Sequence, residues 1–496
     1  MLQHVLEPSP RPADSTDIPR LFGTDGIRMV VGRDMTPPFV ASVASALGTF
    51  LGGKGEVLVA QDFRVSSEAM SRIFAGGLLM LGVNVRSMGP MPTPCLQYNV
   101  RALGAQMGIT VTASHNPNEF NGIKFTGPDG LEISPEAERT IERSIHLAAF
   151  LEGAWDRVGD LREDGEGVDR YVRSILHHTA SDRIREWNPL VVLDAGNGTS
   201  AVTSPALLRQ LGCRVITLNT NPDGHFPGRP SEPTEENLWA LRKAVVEFGA
   251  DLGIAHDGDS DRVAFVDELG RFVPGETSLA LFAQKRLRER GDGTVVTSVT
   301  SSSVVEDVVR AENGALVVTR SGSLPVAEGV RTHKAVFGGE ENGGYYWPEH
   351  QVARDGPMSS ARMIALLAES RDPLSALVDR LPKYSVLKTK VPLARVDVPA
   401  LMERVRAQMT EDADRLLAID GVKGYFPDGW VLIRPSGTEP ICRVYAESRS
   451  PEAAKRLLDR GLRIVEASRP AGSAAPLRTR ASAASSPSSA MSGPHL

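Results

Sequence analysis

"PLVVLDAGNGTSAVTSPALLRQLGCRVITLN" (residues 189–219) decides the fold class. Its opening aliphatic run, Leu190 to Leu193, reads as a buried strand that ends in the Gly/Asn turn "DAGNG". "SPALLRQLG" then reads as a helix, and "CRVITLN" as a second strand. Strand, helix, strand at this spacing implies βαβ units and largely parallel sheets. The same alternation appears nearer the N-terminus. "GEVLVAQD" (55–62) is a short strand, and "SEAMSRIFAGGLLMLG" (67–82) is a helix with Ser66 and Ser67 as its expected cap. "VNVRSMG" is a strand, followed by the Pro-rich turn "PMPTP" (90–94).

The 496 residues are 41% hydrophobic but only 5% aromatic, so three or four domains with mainly aliphatic cores are expected. A formal charge of −6 argues against a nucleic-acid-coating role. Cys95, Cys213 and Cys442 lie far apart with no CxxC pair, which indicates neither a disulfide framework nor a zinc site. A reducing cytoplasm is the expected setting. No apolar run is long enough to span a membrane, and "MLQHVLEPSPRPADSTD" lacks the apolar core of a signal peptide.

Composition breaks place boundaries near 160, 270 and 384. The expected division is a leader (1–17), domain I (18–160), domain II (161–270), domain III (271–383), domain IV (384–468) and a disordered Ser/Ala/Pro-rich tail (469–496). Domain IV differs from the others. "YSVLKTKVPLA", "LLAIDGVKGYFPDGWVLIRPS" and "CRVYAES" read as strands separated by tight turns, followed by the helix "PEAAKRLLDRGLRIVEAS" (451–468). That is an α+β module with an antiparallel sheet.

Four short segments carry chemistry. In "DLGIAHDGDSDRVAFVDELG", Asp257, Asp259 and Asp261 alternate, which on an extended segment puts three carboxylates on one side. Like charges that close need a hard cation such as Mg²⁺. An EF-hand is excluded, because Arg262 stands where its loop needs Gly and the flanks are strand-like. A solvated acidic turn is the alternative. Arg262 beside a metal would grip a phosphoryl group from a second side. In "ITVTASHNPNEFNGIKF" (109–125) a strand delivers Ser114 to a strand end, where α/β proteins place ligands. No G-x-S-x-G elbow is present, and in an extended chain His115 would point away from Ser114. A serine that holds a phosphoryl group, or a simple Ser/Asn/Pro turn, are the readings left. "RPSGTEP" (434–440) combines Arg434, two hydroxyls at Ser436 and Thr438, and Gly437, whose freedom permits a nest of N–H groups around an anion. A plain hairpin loop is equally compatible. "FGGEENGGYYWPEH" (337–350) sets Glu340, Glu341 and Asn342 between glycine pairs, either to meet sugar hydroxyls or as a surface loop.

Taken together, "FGTDGIR" (22–28), "TASHNP" (112–117), "DGDSDR" (257–262), "GEENGG" (339–344) and "RPSGTEP" resemble the α-D-phosphohexomutase superfamily over about residues 20–468. "PTPCLQY", "NGIKF", "GLEIS" and "FGGEENGG" resemble its archaeal-type branch of phosphoglucosamine mutases and phosphomannomutase/phosphoglucomutases. The resemblance implies an α/β protein: three α/β/α sandwich domains with mixed sheets, plus the α+β domain, around a central cleft. It implies a phosphoserine at Ser114, and Mg²⁺ held by Asp257, Asp259, Asp261 and the phosphoryl oxygen on Ser114. Arg28, Lys124 and Arg262 would line the reaction centre. Glu340 and Asn342 would meet the sugar, and Arg434, Ser436, Gly437 and Thr438 would bind its non-reacting phosphate. Substrates would be small hexose phosphates, with a hexose 1,6-bisphosphate as activator and glucosamine phosphate the favoured sugar. Nucleic acid and membranes are not expected partners, and the protein is expected to be a monomer or homodimer. Within the same resemblance, a phosphatase and a sugar-phosphate-binding pseudoenzyme are the rival readings. Two positions depart from the pattern. Many bacterial relatives have His where this chain has Gly344, which leaves Lys124 and His115 as candidate acid/base groups. Met29 stands where glycine is usual.

Overall fold

The opening stretch folds as strand, helix and strand. Leu190–Asp194 pairs in parallel with Arg214–Leu218, and helix Ser204–Leu211 crosses between them. Pro205 lies in the helix's first turn, where its missing N–H costs nothing. Gly212, at φ +106°, ends the helix in a left-handed cap. Leu207, Leu208 and Leu211 then pack with Val191 and Leu193 in one core. The structure, a computed structural model, describes residues 20–23, 25–393, 396–436 and 440–468, and the backbone of 482–483. The leader (1–17), most of the expected disordered tail, and Gly437 and Thr438 lie outside the described residues.

The second sheet continues with Leu252–His256, parallel to Leu190–Asp194, and then reverses into Val263–Val266 and Phe272–Val273. The reversal follows from loop length. Residues 257–262 are too few for a crossover, so they make an antiparallel hairpin. The first sheet has the order Ile27–Val30, Phe120–Thr126, Met107–Val111, Glu56–Gln61, Asn84–Pro90, Leu161–Glu163. In it, parallel strand Met107–Val111 returns as antiparallel Phe120–Thr126 through residues 112–119. The third repeats the pattern, with parallel strand Phe337–Gly339 returning as Tyr345–Trp347 through residues 340–344. All three sheets are therefore mixed. The fourth, built on Arg415–Leu417, Val422–Phe426, Gly429–Pro435, Ile441–Ser448 and Ser385–Pro392, is antiparallel throughout. In each domain the chemistry-bearing segment is the hairpin connection.

Four local readings need amendment. Ser66 stands at the N-cap of helix Ser67–Met80 but makes no cap hydrogen bond, because its backbone is helical (φ −88°, ψ −11°) where a cap needs an extended one, and its Oγ accepts from Asn121 Nδ2 at 2.8 Å. Helix Val398–Asp412 also packs on the fourth sheet, through Leu401, Val405 and Met409 at four-residue spacing. Met29 lies in strand Ile27–Val30 opposite Asn121, while the sharp turn falls at Gly26, where φ is +77°. Ser482–Ala483, within the expected tail, pairs with Leu387–Lys388, because the strand Ser385–Pro392 would otherwise leave an open edge.

One core runs without interruption through the first three domains, from Leu58 through Leu193 and Phe265 to Ile364. The fourth domain has its own core and meets the third through Val299, Trp430 and Leu432. Lys423 pins this junction. Its Nζ donates to Val299 O at 3.0 Å and Ser301 O at 3.1 Å, and lies 3.8 Å from the Trp430 ring centroid. Burial pulls its pKa from 10.5 down to about 8. Between those values the unfolded chain binds the proton and the native chain releases it, so this group makes stability rise with pH. Relative to Lys423→Met, the wild type should gain unfolding free energy from about pH 8 to 10.5. Chemical denaturation across that range tests this, and parallel pH profiles would contradict it.

Candidate active site

Ser114 sits just past the end of strand Met107–Val111, at φ +51°. That left-handed turn is uncommon for serine and must be held by its surroundings. Thr112 Oγ1 accepts from the Ser114 N–H at 2.9 Å, and Arg64 Nη2 donates to the Ser114 carbonyl at 2.9 Å. The same buried guanidinium donates to the carbonyls of Asn116 (2.6 Å), Pro117 (2.8 Å) and Phe120 (3.0 Å). Asp62 anchors Arg64 at 3.2 Å and accepts from Thr112 Oγ1 at 2.7 Å. The turn also brings His115 to Ser114, with Nδ1 3.2 Å from Oγ. The expectation that the two side chains point apart assumed an extended chain, which the left-handed turn breaks. Arg262 foremost, then burial and Arg28, push the His115 pKa down to about 2, so the ring stays neutral.

The Asp257–Asp261 loop packs onto the serine loop. A Cβ on Gly258 would lie 2.6 Å from the Ser114 carbonyl. Gly198, from the "DAGNG" turn, supports the loop from behind, 2.6 Å from Gly258 O by the same measure. The three carboxylates converge through a turn, not along an extended segment as expected, since Ser260 has φ +62°. Asp257 Oδ2 accepts from the Ser114 hydroxyl at 2.8 Å, and Oδ1 accepts from the Arg262 N–H at 3.1 Å. Asp259 Oδ2 takes Thr93 Oγ1 at 2.6 Å and lies 2.8 Å from Lys124 Nζ. Asp261 Oδ2 takes Lys124 Nζ at 3.0 Å and Arg354 Nη2 at 2.7 Å. Asp259 Oδ1 and Asp261 Oδ1 are buried without a hydrogen-bond partner. One oxygen from each of the three carboxylates falls within 4.8 Å of the others. Burial, then the charges of Asp259 and Asp261, drive the Asp257 pKa well up. Unpartnered hard oxygens in a dry site fit a divalent cation.

Lys124 comes from the return strand of the serine hairpin and is 3% exposed. Its Nζ is 2.7 Å from Asp25 Oδ2 as well as close to Asp259 and Asp261. Burial opposes its charge, but the three carboxylates outweigh that and raise its pKa. Lys124 thus brings a buried positive charge against the carboxylate cluster. Burial likewise acts to lift Asp25, but Lys124, Arg354 and Arg28 bring it down to about 2. Arg28 donates to Asn116 Oδ1 at 2.9 Å and pairs with Asp25 at 3.2 Å. Arg262 lies 3.5 Å from Glu232 and 3.9 Å from Asp261.

The third-domain loop rides on the metal-loop hairpin, with the Val263 N–H donating to Gly343 O at 3.1 Å. Glu340 is 3% exposed. Its Oε1 accepts from the Gly322 N–H at 3.2 Å, and Oε2 has no hydrogen-bond partner. Asn342 is exposed, and its Oδ1 closes the turn onto the Gly344 N–H at 3.0 Å. Arg434 Nε lies 2.7 Å from Asp420, which also accepts from the Ser321 N–H at 3.0 Å. The Ser436 N–H donates to Ile441 O at 2.9 Å, closing the base of its loop. A cleft of about 940 Å³ opens between residues of the first, third and fourth domains, lined by Arg20, Arg143, Arg320 and Arg434 together with Glu132, Glu138, Glu142 and Asp420. Glu132 and Leu324 border both this cleft and a small void beside Lys124 and Asp261.

Asp25, Arg64 and Arg354 were not picked out from sequence. Each had a local signal, in "GTDGIR", "QDFR" and "ARDG", but their partners lie far away along the chain. A buried serine hydrogen-bonded to a carboxylate cluster, with Lys124 and Arg354 as fixed cations on that cluster, is the arrangement of a phosphoryl-transfer site. The comparisons narrow the class. Residues 19–152, 169–270 and 274–384 match alpha/beta/alpha domains I, II and III of phosphoglucomutase/phosphomannomutase, and 390–486 matches its C-terminal domain. A probable phosphoglucosamine mutase of Methanopyrus kandleri is 42% identical, over 90% of this chain and 98% of that protein. A phosphoglucomutase/phosphomannomutase of Thermococcus kodakarensis is 38% identical over the same shares. A crystal structure of a family protein from Burkholderia thailandensis superposes with a TM-score of 0.81 at 28% identity, covering 90% of this chain and 97% of that one. The chain belongs to the phosphoglucomutase/phosphomannomutase family, the phosphohexomutases, enzymes that move phosphate between positions of a hexose phosphate.

Because Arg64 holds four carbonyls of the serine loop, Arg64→Lys, with one point donor in place of a fork, should misplace Ser114. Turnover should fall about 100-fold with KM little changed. Steady-state kinetics check this, and unchanged kcat would contradict it.

Proposed function

We propose that this chain interconverts a hexose 1-phosphate and its 6-phosphate through phosphorylated Ser114 and a hexose 1,6-bisphosphate, with glucosamine phosphate the preferred substrate. The observation that carries this reading is the Ser114 hydroxyl, held 2.8 Å from Asp257 beside two carboxylate oxygens without partners. A phosphatase would fit the carboxylate cluster equally well. What favours a mutase is a second candidate anion-binding segment, "RPSGTEP", whose Arg434 lines the large cleft.

Asp257, Asp259 and Asp261, with an oxygen of the phosphoryl group on Ser114, are the residues that would hold Mg²⁺. When bound, the ion neutralises charge on the transferring group. Arg262 and Lys124 add fixed positive charge on the protein side. The loop at Arg434, Ser436, Gly437 and Thr438 grips the phosphate that does not react, and Glu340 and Asn342 meet the sugar hydroxyls. In the first half-reaction the bond from Ser114 Oγ to phosphorus breaks as the sugar's free hydroxyl bonds to phosphorus in line, the hydroxyl giving up its proton and the released Ser114 Oγ taking one up. The bisphosphate then turns over, presents its other phosphate to Ser114, and returns one phosphoryl group to it. The symmetry of the task explains two anion sites of equal standing. Closure of the cleft keeps water from hydrolysing the phosphoserine. A bisphosphate activator would recharge Ser114 after any such loss. The sugar preference rests on the name phosphoglucosamine mutase borne by several similar proteins. Soluble hexose phosphates as partners and a cytoplasmic setting belong to the same proposal, supported by three buried free cysteines.

The direct assay supplies the 1-phosphates of glucosamine, mannose and glucose with Mg²⁺ and a bisphosphate activator. Isomer should form from all three, fastest from glucosamine, and release of inorganic phosphate in place of isomer would favour the phosphatase. Ser114→Ala should abolish turnover while sugar-phosphate binding survives in calorimetry. Arg434→Ala should raise KM at least about ten-fold, as loss of a charge-assisted anion contact does. Full activity in the first variant, or unchanged KM in the second, would contradict the mechanism.

A further inference from the structure

Arg354 ends the strand Gln351–Arg354, outside the five segments that carry the family resemblance. It is 8% exposed, and its Nη2 lies 2.9 Å from Asp25 Oδ2 and 2.7 Å from Asp261 Oδ2. Nη1 is 3.9 Å from the unpartnered Oε2 of Glu340, and Glu132 Oε1 is 3.9 Å from Nη2. One guanidinium therefore faces carboxylates from the serine domain, the metal-loop domain and the sugar-loop domain. Its stem occupies a particular space. A Cβ built on Gly344 would meet Arg354 Cδ at 2.4 Å and Cγ at 2.9 Å. Gly344 is not among the residues with positive φ, so an alanine there suits the backbone and is opposed chiefly by Arg354.

We propose that Arg354 is a positioning residue for phosphoryl transfer, seated in the space left by the missing side chain at Gly344. Its guanidinium fixes Asp261 Oδ2, so that the carboxylate plane is set and Oδ1, which has no hydrogen-bond partner, is left for a cation. It also fixes the sugar-loop hairpin against the reaction centre through Asp25. Arg354 and a bound cation share the negative charge of Asp261. Removing Arg354 frees that charge but loses the geometry. The inference rests on the mutase reading and names a residue of that same site.

Wild type, Gly344→Ala, Arg354→Ala and the double variant make the test. Three quantities are measured: Mg²⁺ binding by calorimetry with the metal alone, thermal unfolding, and kcat and KM at saturating Mg²⁺. Arg354→Ala should lower kcat at least about ten-fold, the usual cost of losing a partner of a metal ligand. Its Mg²⁺ affinity should be equal to or tighter than wild type, and KM should be little changed. Gly344→Ala should lower kcat and thermal stability in the wild-type background but add nothing to Arg354→Ala, since the clash has gone. Arg354→Lys, which keeps the charge without the fork, should fall between wild type and Arg354→Ala, and it replaces the latter if that variant does not fold. Activity restored by excess Mg²⁺, or additive losses in the double variant, would overturn the inference while leaving the mutase reading intact. A wild type that makes no isomer would instead overturn the mutase reading on which the inference stands.

Discussion

The structure depends on one balance of buried charge. Lys124 and Arg354 bring two cations into a site almost closed to water, where Asp25, Asp259 and Asp261 receive them. Stranding any of these groups without its partners would be costly. The balance therefore acts as a constraint on assembly, since Asp25 and Lys124 come from the first domain, Asp259 and Asp261 from the second, and Arg354 from the third. It also leaves a specific remainder. After both cations are satisfied, Asp259 and Asp261 each retain one oxygen with no hydrogen-bond partner, beside the Ser114 hydroxyl. The chemistry of the site is contained in that remainder.

The hairpin connections make this convergence possible. In each of the first three domains a buried parallel strand ends, turns, and returns antiparallel to itself. The turn is thus held at both ends by sheet. A loop fixed in this way can carry strain, as Ser114 at φ +51° and Ser260 at φ +62° do. The fourth domain sets Arg434 near the end of a hairpin strand and meets the third domain around Val299, Trp430 and Lys423.

Much of this was legible in the sequence. The alternation in residues 189–219 carries the layer architecture, and the spacing of Asp257, Asp259 and Asp261 the carboxylate cluster that the structure brings together, because both signals are local. Ser114 and Lys124 were legible for the same reason. Arg64 and Arg354 were not. Nothing near Arg64 reveals that it will cap four carbonyls of a loop some 50 residues on. Nothing near Arg354 reveals that Asp25 lies 329 positions away in sequence and 2.9 Å away in space. Local geometry failed where it assumed an extended chain. At Ser114 and Ser260 the backbone turns left-handed, which brings His115 to the serine and the three aspartates together.

The central claim is that Ser114 lends a phosphoryl group and takes one back. Enzyme carrying ³²P on Ser114 alone, mixed with unlabelled hexose phosphate and Mg²⁺, tests it most directly. Label should pass into hexose bisphosphate and hexose monophosphate as fast as the enzyme turns over. Label that stays on the protein, or leaves only as inorganic phosphate, would contradict the account.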